Sequence, residues 1–326
     1  MSLVNKYSWK ELAELTATRL EKELAPKDMK KWNREHFIEW FMVREKVGYT
    51  IDWRLIGRAY MIWQQLQKES DHFTVIVGRE GVGKTTLGAN LSSWVAPRMN
   101  LDDVCFNMYG YVGRLQKAAK NYKKNKFEGI SRSIMIDEGG IDLFSREALS
   151  KSNKILGKTF MVQRFLNVHV CINIPNWWML DSLVRDHRVN TLIVIKERGK
   201  YECIVGKGIK ILNKLGKKDK DKELWAIPIP YGLFWEGNFN KDFPSTIDTK
   251  DYDKHKFKHI QSFLEDARLE ASTVKMVKVG ILEKELGVKR DTIIAQIHSG
   301  DIEGRKIGNQ WFITKKAYEK LMMMGV

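Results

Sequence analysis

Long hydrophobic runs are missing from this chain of 326 residues. No apolar stretch approaches the roughly 20 residues that a membrane-spanning helix needs, and the opening "MSLVNKYSWKELAEL" lacks the apolar core of a secretory signal. A soluble, cytoplasmic protein without a membrane partner is expected. Cysteine is scarce too: Cys105, Cys171 and Cys203 are far apart, each in an apolar, strand-like run ("DVCFN", "VHVCINI", "YECIVG"). That spacing suits neither a disulfide framework nor a zinc site, and it predicts buried thiols in a reducing compartment. Acidic charge falls short as well, with 40 Asp and Glu against 56 Lys and Arg, for a formal charge of +16. Such a surplus favours polyanionic partners through attraction and counterion release, nucleic acid first and an anionic membrane surface second. With 43% hydrophobic residues the chain has enough apolar side chains for a core, which excludes a disordered protein.

The length predicts about two domains. Residues 1–70 carry apolar spacing near the helical period in "WKELAELTATRLEKEL" and "LIGRAYMIWQQLQ", the pattern of a helical N-terminal extension. From Phe73 the pattern changes to short apolar strands alternating with helical stretches: "FTVIVG", 84–96, "DDVCFN", 109–122, "SIMID", 150–165, "VHVCINI", 177–187, "VNTLIVI" and "YECIVG". This alternation predicts an α/β fold with a mostly parallel sheet and helices on both faces. The Lys-rich segment 207–222 breaks the apolar period and is expected to be an exposed hairpin tip or loop, either merely solvated or in contact with a DNA backbone. Three prolines and several aromatics in 225–250 predict an irregular strap on the core. The expected organisation is an extension over 1–70, a core with its strap over 71–250, a helical linker over 251–272 and a small domain over 273–326.

The stretch "GREGVGKTT" satisfies G-x-x-x-x-G-K-[ST] between an apolar strand and a helical segment, the context in which that spacing carries chemistry. Gly78, Gly81, Val82, Gly83, Lys84, Thr85 and Thr86 are therefore expected to hold a nucleotide. The glycines let backbone N–H groups turn inward around phosphates, Lys84 neutralises their charge, and the Thr85 hydroxyl can ligate magnesium. About fifty residues on, "SIMIDEGG" ends an apolar strand with two carboxylates. Asp137 is expected to hold magnesium through water and Glu138 to polarise the attacking water; the bland alternative is a cap for the next helix. ATP and Mg2+ are the expected cofactors.

Together, "GREGVGKT" and "IMIDE" are similar to the additional-strand, catalytic-glutamate class of P-loop ATPases, which share a RecA-like core and usually act as rings. The resemblance implies that a polar residue ending the strand beside the phosphate-loop strand senses the γ-phosphate. Asn173 in "VHVCINIPN" sits where that residue belongs, or else simply begins a turn before Pro175. Residues 73–205, clearest at "IDEGG" and "VRDHRV", resemble plasmid, phage and archaeal-virus ATPases related to FtsK/HerA-like and zonula-occludens-toxin-like translocases. Toxin-like assembly proteins carry a membrane span that this chain lacks, which speaks against phage extrusion. The class implies a homo-oligomeric ring, a hexamer being one candidate size, in the cytoplasm of a bacterial or archaeal host. It also implies an arginine delivered to a neighbour's phosphate. Arg146, Arg164, Arg185 and Arg188 are candidates, with Arg185 and Arg188 first. The run "EGVGKTTLGANL" is also similar to partition ATPases, but Arg79 stands in place of their signature lysine and Glu80 in place of a glycine.

Residues 275–322 resemble the excisionase/MerR-like winged helix-turn-helix: "ILEKELG", a turn at Gly287, "KRDTIIAQIHSG", a wing "IEGRKIGNQWFI" and a closing helix. Ile281, Leu282, Leu286, Val288, Ile293, Ile294 and Ile297 are the expected core. By this resemblance Lys289, Arg290 and Thr292 begin a helix that enters the major groove of duplex DNA, Arg305 and Lys306 meet phosphates from the wing, and His298 is structural. A protein-docking role for the unit is the alternative. The expected function is a DNA-binding ATPase of a mobile element that translocates, packages or remodels duplex DNA. A nucleotide switch in partition or replication is one alternative; a DNA-binding regulator with the ATPase as oligomerisation module is another.

Overall fold

The computed structural model describes residues 6–23, 32–68, 70–122, 132–137, 159–160, 163–180, 182–216, 232, 234–273 and 276–323. The chain divides into two units, Met1–Asp253 and Lys254–Val326.

The first unit opens with helices α1 (Trp9–Glu23), α2 (Arg34–Met42) and α3 (Trp53–Gln67). Side chains set the starts of two of them: Asn33 accepts from the His36 N–H at 2.9 Å and Asp52 from the Leu55 N–H at 3.0 Å, each satisfying a donor left over in a first helical turn. Seven strands follow, β1 (His72–Gly78), β2 (Val104–Cys105), β3 (Ser133–Ile136), β4 (His169–Ile174), β5 (Thr191–Glu197), β6 (Lys200–Val205) and β7 (Phe234–Asn238), in one sheet of order β2-β3-β4-β1-β5-β6-β7. Pairs from β2 to β5 are parallel, while β6 and β7 add antiparallel at one edge. Between the strands lie α4 (Lys84–Val95), α5 (Met108–Tyr122), α6 (Ser182–His187) and α7 (Lys207–Gly216).

The two-residue period of a strand explains how the layers form. Phe73, Val75 and Val77 of β1 enter an apolar cluster with Leu115 of α5, Val184 of α6 and Leu212 of α7. Ile76 enters the opposite cluster with Leu87 and Leu91 of α4 and Leu55 and Ile56 of α3. The result is a mixed α/β fold, its mostly parallel sheet covered on both faces. The N-terminal helices belong to that second cluster, where Trp40 and Phe41 meet Trp94 of α4 at ring-centroid distances of 5.7 and 5.0 Å. Buried Arg44 lies 3.8 Å from the Trp40 ring centroid and donates to the carbonyls of Trp94 at 2.5 Å and Val95 at 3.3 Å. A cation on those last carbonyls complements the negative end of the α4 dipole and holds the far end of that helix. All three cysteines are free, buried thiols, as expected, and burial pushes each up to about 12.

Three expectations for the first unit need correction. Residues 207–216 form α7 rather than a loop, because Ile209 and Leu212 at helical spacing are buried while Lys207, Lys210 and Lys214 take the exposed face; 217–222 lie outside the described residues. The strap contains a regular strand, β7, whose register with β6 runs from Ile204↔Phe234 to Lys200↔Asn238. The helix expected over 177–187 is broken into a single turn at Trp177–Met179 and the short α6. Most of 150–165 lies outside the described residues.

A long helix, α8 (Thr249–Thr273), contains the division between the units. The second unit continues with β8 (Met276–Lys278), α9 (Val279–Leu286), α10 (Arg290–Ser299), β9 (Gly304–Ile307), β10 (Gln310–Thr314) and α11 (Lys315–Met323). Its antiparallel sheet has the order β8-β10-β9. Val279, Leu282, Ile293, Ile302 and Ile313 form its core, with Val288 and Ile297 packed against it. Ile281, expected inside, is exposed: the helical turn that buries Val279 and Leu282 carries the residue between them outward.

Candidate functional site

The wholly buried β1 ends at Gly78, and the chain then loops into α4 at the carboxyl end of the parallel strands. Gly81 and Gly83 adopt φ of 75° and 101°, backbone that an L side chain rarely takes. Gly83 also precedes α4 without a side-chain cap, so the first-turn N–H groups are left to an anion or solvent. Lys84 Nζ reaches back across the loop to the carbonyls of Gly78 and Arg79, both at 2.7 Å. Val82, Thr85 and Thr86 are half-buried around it.

Asp137 follows β3 and is buried. Its carboxylate collects three side chains from three separate elements. Thr85 Oγ donates from α4, at 3.0 Å from Oδ1 and 3.1 Å from Oδ2. Asn173 Nδ2 donates to Oδ1 at 2.8 Å from β4, the strand inserted between β1 and β3. Tyr252 Oη donates to Oδ2 from the first turn of α8. Gly88 leaves room for this meeting, since a Cβ there would lie 2.9 Å from Asn173 Oδ1.

Among the described residues all three donors to Asp137 are neutral, and it forms no ion pair. A buried carboxylate without a cationic partner is costly, so the cluster suits a bound cation. Magnesium keeps several waters and takes few protein oxygens, which fits a pair such as Thr85 and Asp137. No group of three or more His, Cys, Asp or Glu able to hold a metal occurs among the described residues. Glu138, the expected base, lies outside the described residues, as does Arg146.

Arg188 is not brought to this loop. Arg188 pairs with Asp71, just before β1, and donates to the Phe160 carbonyl at 2.8 Å. The length of β1, about 20 Å at the rise of a strand, separates Asp71 from Gly78. Arg185 is buried, 4.9 Å from the Trp178 ring centroid, and donates to the Leu180 carbonyl at 3.2 Å. Arg164 is exposed in a short turn, Arg164–Leu166.

In the second unit Lys289 occupies the position before α10, and Lys289, Arg290 and Thr292 are all exposed at its start. Arg305 and Lys306 lie on β9, opposite Phe312 and Trp311 of β10. Arg290 lines a groove together with Lys278, Ile281, Gln310 and Trp311, so the start of α10 and the hairpin share one surface. His298, exposed, meets Trp311 edge-on at 4.9 Å.

Sequence reasoning missed Tyr252 and Phe239. Phe239, after β7, lies 3.1 Å from where a Gly83 Cβ would be. Neither residue stands in a motif, and Tyr252 reaches Asp137 across 115 positions of chain. No described helix is long and apolar enough to cross a membrane. No protein-family model matches the chain, and comparison with curated proteins finds no match.

Proposed function

We propose that the chain is a magnesium-dependent P-loop ATPase with a RecA-like core of the additional-strand, catalytic-glutamate class, and that it acts on duplex DNA for a mobile genetic element. The observation that carries this is the meeting of Thr85, Asp137 and Asn173 beside a glycine loop, with Asn173 on the strand between the loop strand and the acidic strand. Parallel sheets take ligands at the carboxyl ends of their strands, and this cluster lies there.

In this mechanism the loop N–H groups and Lys84 hold the triphosphate, Lys84 trading the Gly78 and Arg79 carbonyls for phosphate oxygens. Thr85 and Asp137 would hold magnesium, which supplies charge neutralisation at the phosphates when bound. Asn173, fixed by its bond to Asp137, places an amide at the edge of the site and is the candidate γ-phosphate sensor. Glu138, one residue beyond Asp137, is the candidate that orients and deprotonates the attacking water. Hydrolysis would move or remodel DNA held in part by the second unit, read as a winged helix-turn-helix, with Lys289, Arg290 and Thr292 in the groove and Arg305 and Lys306 on phosphates. The charge of +16 and the exposed lysines of α7 support a polyanionic partner. A homo-oligomeric ring in a host-cell cytoplasm completes the proposal.

The test is ATP turnover of the full chain with and without duplex DNA, in magnesium and in chelator, with particle size followed in a non-hydrolysable analogue. Magnesium-dependent turnover that rises with DNA is expected. Turnover indifferent to DNA, or an absence of nucleotide binding, overturns it.

A further inference from the structure

The Asp137 carboxylate takes one of its donors from outside the phosphate loop and the acidic strand. Tyr252, in the first turn of α8, sets its buried phenol on Oδ2. Its ring is held between Phe106 and Phe243, with centroids 5.6 and 5.0 Å away. The N–H of Asp251 is bound to Asp248 Oδ1 at 3.0 Å, which fixes the turn that carries the phenol. The preceding strap is tied to α4, Asn90 donating to the Asp242 carbonyl at 2.9 Å and Ser93 lying 3.2 Å from the Thr246 hydroxyl.

A carboxylate presents about four lone-pair directions, and three protons from the described residues reach this one. Thr85 is nearly equidistant from both oxygens, at 3.0 and 3.1 Å, so it does not choose the rotation of the carboxylate. Asn173 holds Oδ1 and Tyr252 holds Oδ2, and these two bonds, one to each oxygen, set that rotation. Among the described residues, one direction is left for a water on a bound cation. A group that orients a ligand is stabilised in turn when the ligand binds, because coupling free energies are reciprocal.

On the magnesium–nucleotide reading of the site, we propose that Tyr252 is a positioning residue: its hydroxyl orients Asp137 for the magnesium–nucleotide complex, and binding of that complex steadies the first turn of α8. Metal occupancy thereby reaches the helix that leads out of the first unit.

The experiment measures ADP affinity of the full chain in magnesium and in chelator, for wild type, Tyr252→Phe and Phe243→Leu, alongside hydrogen exchange of backbone amides 250–256. Wild type should bind ADP more tightly with magnesium and gain protection at 250–256. Tyr252→Phe should keep its chelator affinity and lose about tenfold of the magnesium gain, the scale of one hydrogen bond to a charged group, together with the added protection. Phe243→Leu loosens the ring's packing but leaves the hydroxyl, and should keep most of the gain. A full magnesium gain in Tyr252→Phe overturns the inference and leaves the site reading standing. No magnesium gain in wild type overturns the site reading and the inference with it. Equal losses in both variants assign the effect to ring packing and overturn the hydroxyl's role. The exchange arm needs only the wild-type chain, so unchanged protection at 250–256 overturns the coupling even where a substitution fails to fold.

Discussion

Asn173 Nδ2 donates to Asp137 Oδ1 at 2.8 Å, joining the end of β4 to the end of β3 inside the sheet's carboxyl edge. Both side chains are buried, and Asn173 Oδ1 has no hydrogen-bond partner among the described residues. Asn173→Ala should therefore remove a donor from a buried carboxylate at a stability cost of about 1–3 kcal/mol, measured by denaturant unfolding. It should also slow hydrolysis more than it weakens ATP binding, because its bond orients Asp137 without touching the phosphate loop. A variant with unchanged turnover would remove Asn173 from the site.

Glu138→Gln should retain magnesium–ATP binding and lose two to four orders of magnitude in turnover, roughly the contribution of a general base. Single-turnover hydrolysis measures it. Wild-type rates in this variant would place the base elsewhere.

Arg188 is committed within the chain, to Asp71 and to the Phe160 carbonyl. Arg188→Ala should consequently lower stability by leaving Asp71, 12% exposed, without its cation, by about 1–3 kcal/mol. If the side chain instead serves a neighbouring subunit, stability should hold while hydrolysis falls, and mixing with Lys84→Ala protein should restore part of the activity. Thermal unfolding and the mixing assay together separate the two roles.

How much of this was legible in the chain depends on how local each signal is. The apolar run "FTVIV" and the glycine spacing after it are short-range patterns, and the strand, loop and helix lie where they point. The α7 helix was hidden because lysines at 207, 210 and 214 outweigh two buried large apolar residues, Ile209 and Leu212. Helical spacing in residues 1–70 was visible, but that Trp40 and Phe41 would pack on Trp94 of the loop helix was not. The contact of Tyr252 with Asp137 arises only when the sheet edge, strap and α8 are assembled, and no nearby residue announces it.

Two buried histidines at the other end of the sheet make stability depend on pH. His72 hydrogen-bonds Gln65 and Thr191 at 2.7 and 2.9 Å, and His169 bonds Thr74 and Ser133 at 3.0 and 2.8 Å. Burial, and then the nearby Arg58 cation, hold both below the usual imidazole range, His169 at about 3. The native state thus binds fewer protons than the unfolded chain. Their contribution is full above about pH 6.5 and falls as pH drops toward the folded values, by at most about 1.4 kcal/mol per pH unit per histidine. Denaturant midpoints at pH 7.5, 6 and 5 should fall in that order, and His169→Gln should flatten the slope. An unchanged slope in that variant would show that other groups carry the acid sensitivity.

Arg290 and Arg305 should fail in different ways in the full chain. Arg290 is exposed at the start of α10 and lines the groove shared with Trp311 and Gln310. If it reads a base, Arg290→Ala should cost about 1–3 kcal/mol at a preferred sequence and relax specificity there. Arg305 lies on β9 of the hairpin, where a phosphate contact is the expected role. Arg305→Ala should weaken all sequences alike and reduce the slope of log affinity against log salt by about one. Electrophoretic or anisotropy titrations at several salt concentrations, on selected and random duplexes, distinguish the two. Equal affinity of wild type and both variants for every duplex at low salt would remove the second unit from DNA contact and shift that role to the lysines of α7, whose exposed face carries Lys207, Lys210 and Lys214.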